Sequence, residues 1–247
     1  MNTMTYRPVL LLLLLNLLVQ TCSAQTLSIV SSQWPPYVDD AATNKGLAVE
    51  LVNKALQRKG YQPRLHIDNW QRALEGVQIG VFDATCAIWK TKEREQYLLF
   101  SDPYLNNKVS FIKKKSLLVE YTHFTDLTGF IIGVVRGYAY NEAFTQSRAL
   151  IKIPANHIIQ NLHKLNQGSI DLSVGDERAI KYALQQYLPM HANSFEFLAP
   201  PLDYKKLYLA VSKSNKDAHT IINNFNQAIK EMKQDGSYDQ IVSKYQY

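Results

Sequence analysis

"GVFDATCAIWKTKERE" (residues 80–95) carries both an architectural signal and a chemical one. The short apolar run Val81–Trp89 reads as a buried strand. It stops at Trp89. Thr91 then reads as a helix N-cap, because its hydroxyl can accept an orphan backbone N–H. Lys92, Glu93 and Arg94 become the first helical turn. A capping box would place Glu or Gln at the third of these positions, and Arg94 stands there instead. A cation at a helix start faces the positive end of the macrodipole, at a typical cost of about 0.3–1 kcal/mol. Two arrangements would offset that cost. One is an ion pair with Glu95 or Asp102. The other is an anion held at the helix start by the free N–H groups and the guanidinium.

Working outward, the strand at 81–89 sits inside an alternating series. "LSIV" (27–30) is a strand stopped by "WPPY" (34–37), since consecutive prolines cannot continue a ladder. "GLAVELVNKALQRKG" (46–60) places Leu47, Leu51, Val52, Ala55 and Leu56 on one helical face. "RLHI" (64–67) is a strand, "WQRALEGVQIG" (70–80) a helix with Leu74 and Val77 inward, and "KVSFIKK" (108–114) a strand. The pattern then restarts: strands at 130–135, 151–153 and 169–174, helices at 140–150, 155–168 and 177–188, and a strand at 206–213. An amphipathic stretch from about Thr220 to Met232 and a short helix after Gly236 close the chain. This is the pattern of open, mostly parallel sheets flanked by helices. "GVFDATCA" (80–87) and "GSIDLSVG" (168–175) echo one another, one in each series, as expected for two similar lobes. Extended strands at 108–114 and 206–212 are the expected connection. Ligands of such sheets bind beyond the carboxyl ends of the strands. Those ends lead to Arg94, to Gly137 and to Gly175-Asp176.

Residues 1–24 read as a cleaved signal peptide, with Arg7, the apolar "VLLLLLLNLLV" (9–19) and "CSA" (22–24) before Gln25. Removing 24 of the 247 residues leaves 223, enough for one large domain or two ordinary ones. Arg7 is the only charge lost, so the net charge falls from +6 to +5. Export argues against nucleic acid as the partner of that charge, and Lys113-Lys114-Lys115 is expected to be a solvated strand end. Cys22 leaves with the leader, so Cys86 has no intrachain partner. His157 and His163 are six apart and the other histidines are scattered, so no metal site is expected.

The motifs taken together resemble family 3 of the bacterial extracellular solute-binding proteins, the polar amino-acid-binding components of ABC importers. The matching marks are "WPPY", Gly46-Leu47-x-Val49-Glu50-Leu51, Gly80-x-x-Asp83-Ala84, Thr91-x-Glu93-Arg94 with "FSDPY" (100–104), "DLTGFIIGVVRG" (126–137), Gly168-x-Ile170-Asp171 leading to Asp176, and "MKQDGSYDQIVSKY" (232–245). The resemblance implies an α/β, two-lobed periplasmic-binding-protein fold, each lobe an open mostly parallel sheet flanked by helices, joined by two hinge strands. Lobe 1 would comprise 25–112 and 207–247, and lobe 2 would comprise 113–206.

By the same resemblance Arg94 grips the α-carboxylate of a solute and Asp176 its α-ammonium, which draws the lobes together. Asp176 also suits the N-cap of helix 177–188. Trp34, Trp70 and Trp89 are expected near the ligand as aromatic walls, with Ala87, Thr91 and Tyr138 completing the set. Arg136 offers a second cation, or a surface ion pair. The sequence departs from the family at several points. Ala87 and Trp89 replace common small hydroxyl residues, and Tyr138-Ala139 stands where Ser or Thr is frequent. Ser31 and Ala48 occupy positions where members taking lysine or arginine carry acids, so a basic amino acid is disfavoured. The expected role is capture of an amino acid or similar carboxylate-bearing solute, as a periplasmic monomer, for an inner-membrane ABC permease and its ATPase. No cofactor is expected. Two alternatives differ in class. One is a periplasmic enzyme resembling cyclohexadienyl dehydratases, with Glu177 or Asp176 as general acid. The other is a sensory or accessory protein acting on a membrane partner.

Overall fold

The computed structural model describes residues 25–246. The expected leader, with cleavage after Ala24, lies outside the described residues. Ten strands, β1 (Gln25–Ser31), β2 (Tyr61–Ile67), β3 (Ala84–Trp89), β4 (Leu98–Phe100), β5 (Leu105–Lys114), β6 (Ile131–Val135), β7 (Ile151–Ala155), β8 (Leu172–Asp176), β9 (Phe195–Phe197) and β10 (Asp203–Ser212), form one sheet in the order β2-β1-β3-β10-β5-β8-β6-β7, with β4 beside β10 and β9 beside β5. In one half, β1 (Gln25–Ser31) pairs in parallel with β2 (Tyr61–Ile67) and with β3 (Ala84–Trp89). In the other, β6 (Ile131–Val135) pairs in parallel with β7 (Ile151–Ala155) and β8 (Leu172–Asp176). Two long antiparallel strands, β5 (Leu105–Lys114) and β10 (Asp203–Ser212), join the halves. Residues 105–109 of β5 face 203–207 of β10, while 109–113 pair with β8 and the end of β10 pairs with β3. The fold is therefore the expected two-lobed α/β architecture, and its connecting strands begin three residues earlier than the apolar patterns suggest.

Helix α1 (Leu47–Arg58) buries the predicted face, Leu47, Leu51, Val52, Ala55 and Leu56. Its start explains two motifs at once. The N–H groups of Leu47 and Ala48 donate to the carbonyls of Pro36 and Tyr37 at 2.8 and 3.0 Å. The "WPPY" turn thus satisfies donors that a helix leaves orphaned. A Cβ on Gly46, whose φ is 99°, would meet those same carbonyl oxygens at 2.7–2.8 Å, so only glycine fits the junction. Helix α2 (Trp70–Gln78) buries Ala73 and Val77 with Leu74 half-buried, and Asn69 caps it by accepting from Gln71 N–H at 3.0 Å. Near the C-terminus, α6 (Ala218–Gln234) buries Ile221, Ile222, Phe225, Ala228, Ile229 and Met232, and α7 (Ser237–Ser243) follows Gly236 as expected. The terminal segment is tied back to α1, because Lys244 and the Tyr245 hydroxyl both reach the buried Glu50 carboxylate, at 2.6 and 2.7 Å. Burial pushes that carboxyl up, but these two hydrogen bonds, with the Lys244 charge and a bond from Asn44, hold it below its ordinary value.

Three local expectations need correction, and two short strands join the expected set. The helix after Thr91 is a single 3-10 turn, Arg94–Gln96, because the chain must straighten at once into β4 (Leu98–Phe100), which pairs with β10. The helix expected over 140–150 shortens to α3 (Glu142–Gln146). There the Lys152 ammonium takes the carbonyls of Phe144, Thr145 and Ser147 at 2.7–2.9 Å, which terminates the helix early. Lys113 is not solvated. It is buried, donating to Leu117 O at 2.9 Å and pairing with Glu196. Finally, β4 and β9 (Phe195–Phe197) are three residues each, too short to show a period. Helix α4 (Ile158–Gln167) and α5 (Glu177–Tyr187) match their expected places closely.

Candidate functional site

The site grows from the end of β3. Ala87 has φ 57°, the left-handed region that non-glycine residues seldom enter. The pairing of β3 with β10 shifts register there, between Tyr208 and Ala210. Such a bulge adds a residue to one strand and re-aims those beyond it. Cys86 and Ala87 consequently face the same core, and Ile88 faces the other side. Ala87 itself is buried, and its N–H donates to the Tyr104 hydroxyl at 3.3 Å. Burial pushes the neighbouring Cys86 thiol up to about 12, leaving it an inert core group.

Past the bulge, the Trp89 carbonyl accepts from Arg94 Nη1 at 2.6 Å and the Trp89 indole N–H donates to Asn107 Oδ1 at 2.8 Å. Thr91 Oγ1 accepts from Arg94 N–H at 3.2 Å, which is the capping bond the sequence suggests. Arg94 is 8% exposed, and its guanidinium lies over the Trp70 ring, 5.2 Å from the centroid. Burial lowers its pKa, against which the Tyr97 and Glu93 charges work upward. The ion-pair alternative fails for Glu95, which instead holds Lys90 at 2.6 Å. Among the described residues no carboxylate, Asp102 included, comes within ion-pairing distance of Arg94. Only one of its five side-chain N–H donors finds an acceptor among the described residues. One 3-10 turn has little macrodipole, so the cost expected of a cation at a helix start is small here. The uncompensated guanidinium remains.

Asp176 ends β8 and begins α5. It is 2% exposed. Oδ1 accepts from the Tyr37 hydroxyl and from Ala179 N–H, both at 2.9 Å, and Oδ2 accepts from Asn107 Nδ2 at 2.9 Å. Burial raises its pKa, opposed by those three hydrogen bonds and by the Arg178 charge. The Tyr37 phenol is likewise pushed well up by burial and by the Asp176 charge. Asp176 thus caps α5 and also ties the second lobe to the first. Asn107 links it to Trp89, so Arg94 and Asp176 are the ends of one hydrogen-bonded chain.

The aromatic residues close over this chain. Trp34 lies 4.7 Å from Tyr37, 5.7 Å from Trp89 and 5.7 Å from Tyr138, and Trp89 lies 5.2 Å from Tyr138, centroid to centroid. Most are edge-to-face, the arrangement ring quadrupoles favour. Trp89 is buried, Trp34, Trp70 and Tyr138 half-buried. Burial pushes the Tyr138 hydroxyl well up, with smaller upward pushes from Tyr140 and Asp176. The Trp34 indole N–H is buried and meets no partner at hydrogen-bonding geometry, although it lies close enough to Tyr138 to oppose that shift weakly. Gly137, with φ 76°, lets the turn after β6 close on Trp70. A Cβ there would stand 3.2 Å from Trp70 Cδ1. Arg136 is exposed and lines a separate surface depression with Asn156, His163 and Lys164.

All eight expected residues, Arg94, Asp176, Trp34, Trp70, Trp89, Ala87, Thr91 and Tyr138, therefore lie in or directly beneath this cluster. Tyr37 and Asn107 were missed. Asn107 did leave a signal, because alternation along Leu105-x-Asn107-x-Val109 points a polar amide inward.

The model of the bacterial extracellular solute-binding proteins, family 3, matches residues 27–247. The arginine-binding periplasmic protein of Mannheimia haemolytica is 24% identical over 244 residues, covering 95% of this chain and 97% of that protein. ABC transporter arginine-binding protein 1 of Escherichia coli (strain K12) is 23% identical over 220 residues, covering 87% and 88%. The structure of an ancestral arginine-binding protein bound to arginine superposes with a TM-score of 0.76 at 22% identity, covering 90% of this chain and 99% of that one. The family model spans nearly the whole chain, and this protein is therefore a member of the bacterial extracellular solute-binding proteins, family 3.

Proposed function

We propose that the protein is a periplasmic solute-binding protein that captures a small carboxylate-bearing molecule between two lobes and hands it to an ABC importer. Lobe 1 is residues 25–112 and 207–247, and lobe 2 is 113–206, with β5 and β10 as the hinge. The solute meets the Arg94 guanidinium on lobe 1 and the turn at Gly137-Tyr138 on lobe 2, with Trp34, Trp70 and Trp89 as walls. Binding then favours the closed arrangement because only that arrangement contacts the solute from both sides. The partners are an inner-membrane permease and its ATPase, and the protein acts as an exported monomer cleaved after Ala24.

The observation that carries this reading is Arg94, a buried guanidinium that among the described residues has no carboxylate of its own and four side-chain donors unused. A bound carboxylate supplies the missing charge and can accept two parallel N–H bonds. The arginine named for the relatives is not carried over. Ser31 spends its hydroxyl on the Cys86 carbonyl at 3.2 Å and Ala48 is fully buried, so neither offers charge to a basic side chain. The dehydratase reading requires a free general acid. Glu177 instead accepts from Ser110 at 2.7 Å and pairs with Lys108 at 3.0 Å.

A thermal-shift panel of amino acids and small organic acids tests the proposal. A ligand at 100 times its Kd adds about 2.7 kcal/mol of stability. At least one carboxylate should raise the melting temperature of the wild type and leave Arg94→Ala unmoved. An equal shift in the variant removes Arg94 from the site.

A further inference from the structure

We infer that Asp39 and Tyr182 form a clasp between the lobes, an affinity-determining pair that sets the balance of open and closed forms without touching the solute. This rests on the two-lobed binding reading above and goes beyond it. The "WPPY" turn and the residues after it meet helix α5 at three points. The Tyr37 hydroxyl donates to Asp176 Oδ1 at 2.9 Å. The Arg178 guanidinium lies over the Tyr37 ring, 5.8 Å from its centroid. The Tyr182 hydroxyl donates to Asp39 Oδ2, again at 2.9 Å. Residues 37–39 belong to lobe 1 and α5 to lobe 2, so each contact joins the lobes.

Asp39 is oriented by its own lobe. It is buried, and its other oxygen, Oδ1, accepts from Gln33 Nε2 and from Ala41 N–H, each at 3.1 Å. Its backbone N–H donates to Lys45 O at 2.8 Å, and the Tyr37 carbonyl is tied to the start of α1. Oδ2 is thus held out to the other lobe, where Tyr182 stands one turn beyond Arg178 on α5. The contacts differ in leverage. Asp176 pairs with Val109 of the hinge strand β5, so the Tyr37 bond lies beside the pivot and changes little as the lobes swing. Asp176 Oδ2 has Asn107 as its one donor among the described residues and keeps acceptor capacity for a solute. Tyr182 lies about 9 Å further along the helix axis, at a rise of about 1.5 Å per residue, where the same rotation carries it farther. A hydrogen bond is lost once its atoms part beyond about 3.5 Å, so the Asp39–Tyr182 bond belongs to the closed arrangement. A bond to a carboxylate shifts such a balance by about tenfold. Apparent affinity scales with the closed fraction, so the pair tightens every solute by the same factor.

Pulsed electron–electron double resonance on the mature chain, with no solute added, tests the clasp. Nitroxides at Ile79→Cys on lobe 1 and Met190→Cys on lobe 2 report the distance between the lobes. Those sites are 73% and 92% exposed, while the native Cys86 is buried and takes no label. Wild type should show a closed population, and Tyr182→Phe should lower its closed-to-open ratio about tenfold. Asp39→Ala should match that change, and the two together should add little, as for partners in one bond. A wild type without a closed population overturns the inference, and so does an unchanged ratio in Tyr182→Phe. A lower urea midpoint with unmoved distances makes Tyr182 a structural group and overturns it as well. None of these outcomes touches Arg94, whose test is the thermal-shift panel, so the clasp and the binding reading fail separately.

Discussion

Arg94→Met separates a binding arginine from a structural one without any ligand. The substitution keeps an unbranched side chain of similar reach and deletes the charge. Three terms decide its effect on the unliganded protein. The bond to the Trp89 carbonyl, 2.6 Å long, is lost. A bond from a charged donor typically contributes about 1.5–3 kcal/mol. The guanidinium contact with Trp70, 5.2 Å from the ring centroid, is lost as well. That is worth about 0.5–2 kcal/mol, much of which a methionine sulfur against the same ring restores. Against these stands the cost of keeping an 8% exposed guanidinium with no counter-ion out of water. That penalty amounts to several kcal/mol for an ion in a protein interior. These terms offset one another to within about 2 kcal/mol. At about 2–4 °C per kcal/mol for a protein of this size, the melting temperature should move by less than about 8 °C. Urea unfolding at pH 7 without ligand measures it. A loss of more than about 2 kcal/mol in that experiment refutes the reasoning, because Arg94 would then be a structural group that needs no solute.

Two further perturbations probe the framework around the site. Asn107→Ala removes the link between Trp89 and Asp176 and leaves the indole N–H and Oδ2 without their partner, so a loss of about 2–4 kcal/mol is expected by chemical denaturation. Tryptophan emission should shift as Trp89 loosens, and a variant as stable as wild type contradicts the network. The Glu50 clamp carries a pH signature. Its carboxyl is held below the ordinary 4.5, so its contribution is fully present above that value and disappears as pH falls through the lowered one. Glu50→Gln should therefore lose less stability than wild type between about pH 5 and pH 3, and identical acid titrations in urea count against the clamp.

Much of this molecule is legible before folding. Apolar spacing alone finds α1, α2, α4, α5 and α6, because each has a face that must leave water wherever it packs. Arg94 stands out because a cation in a first turn breaks a local rule, and such a break nominates the position as a candidate site. The segments that resist reading are those whose partners are distant in the chain. The Arg94 turn stays short because β4 is claimed by β10, more than a hundred residues away. Helix α3 ends early because the Lys152 ammonium takes its carbonyls. Ala87 enters the left-handed region because a register shift against β10 requires it.

Local periodicity and capping chemistry by themselves determined the alternation of strands and helices, the two-part plan and the exposed contradiction at Arg94, since those depend on neighbours within a few residues. Tertiary structure alone decided what surrounds Asp176. In the sequence a carboxylate at a helix start shows only its capping role. Only packing brings Tyr37, 139 residues away, and Asn107, 69 residues away, onto its oxygens. Which donors reach a carboxylate is settled in space, and separation along the chain does not record that.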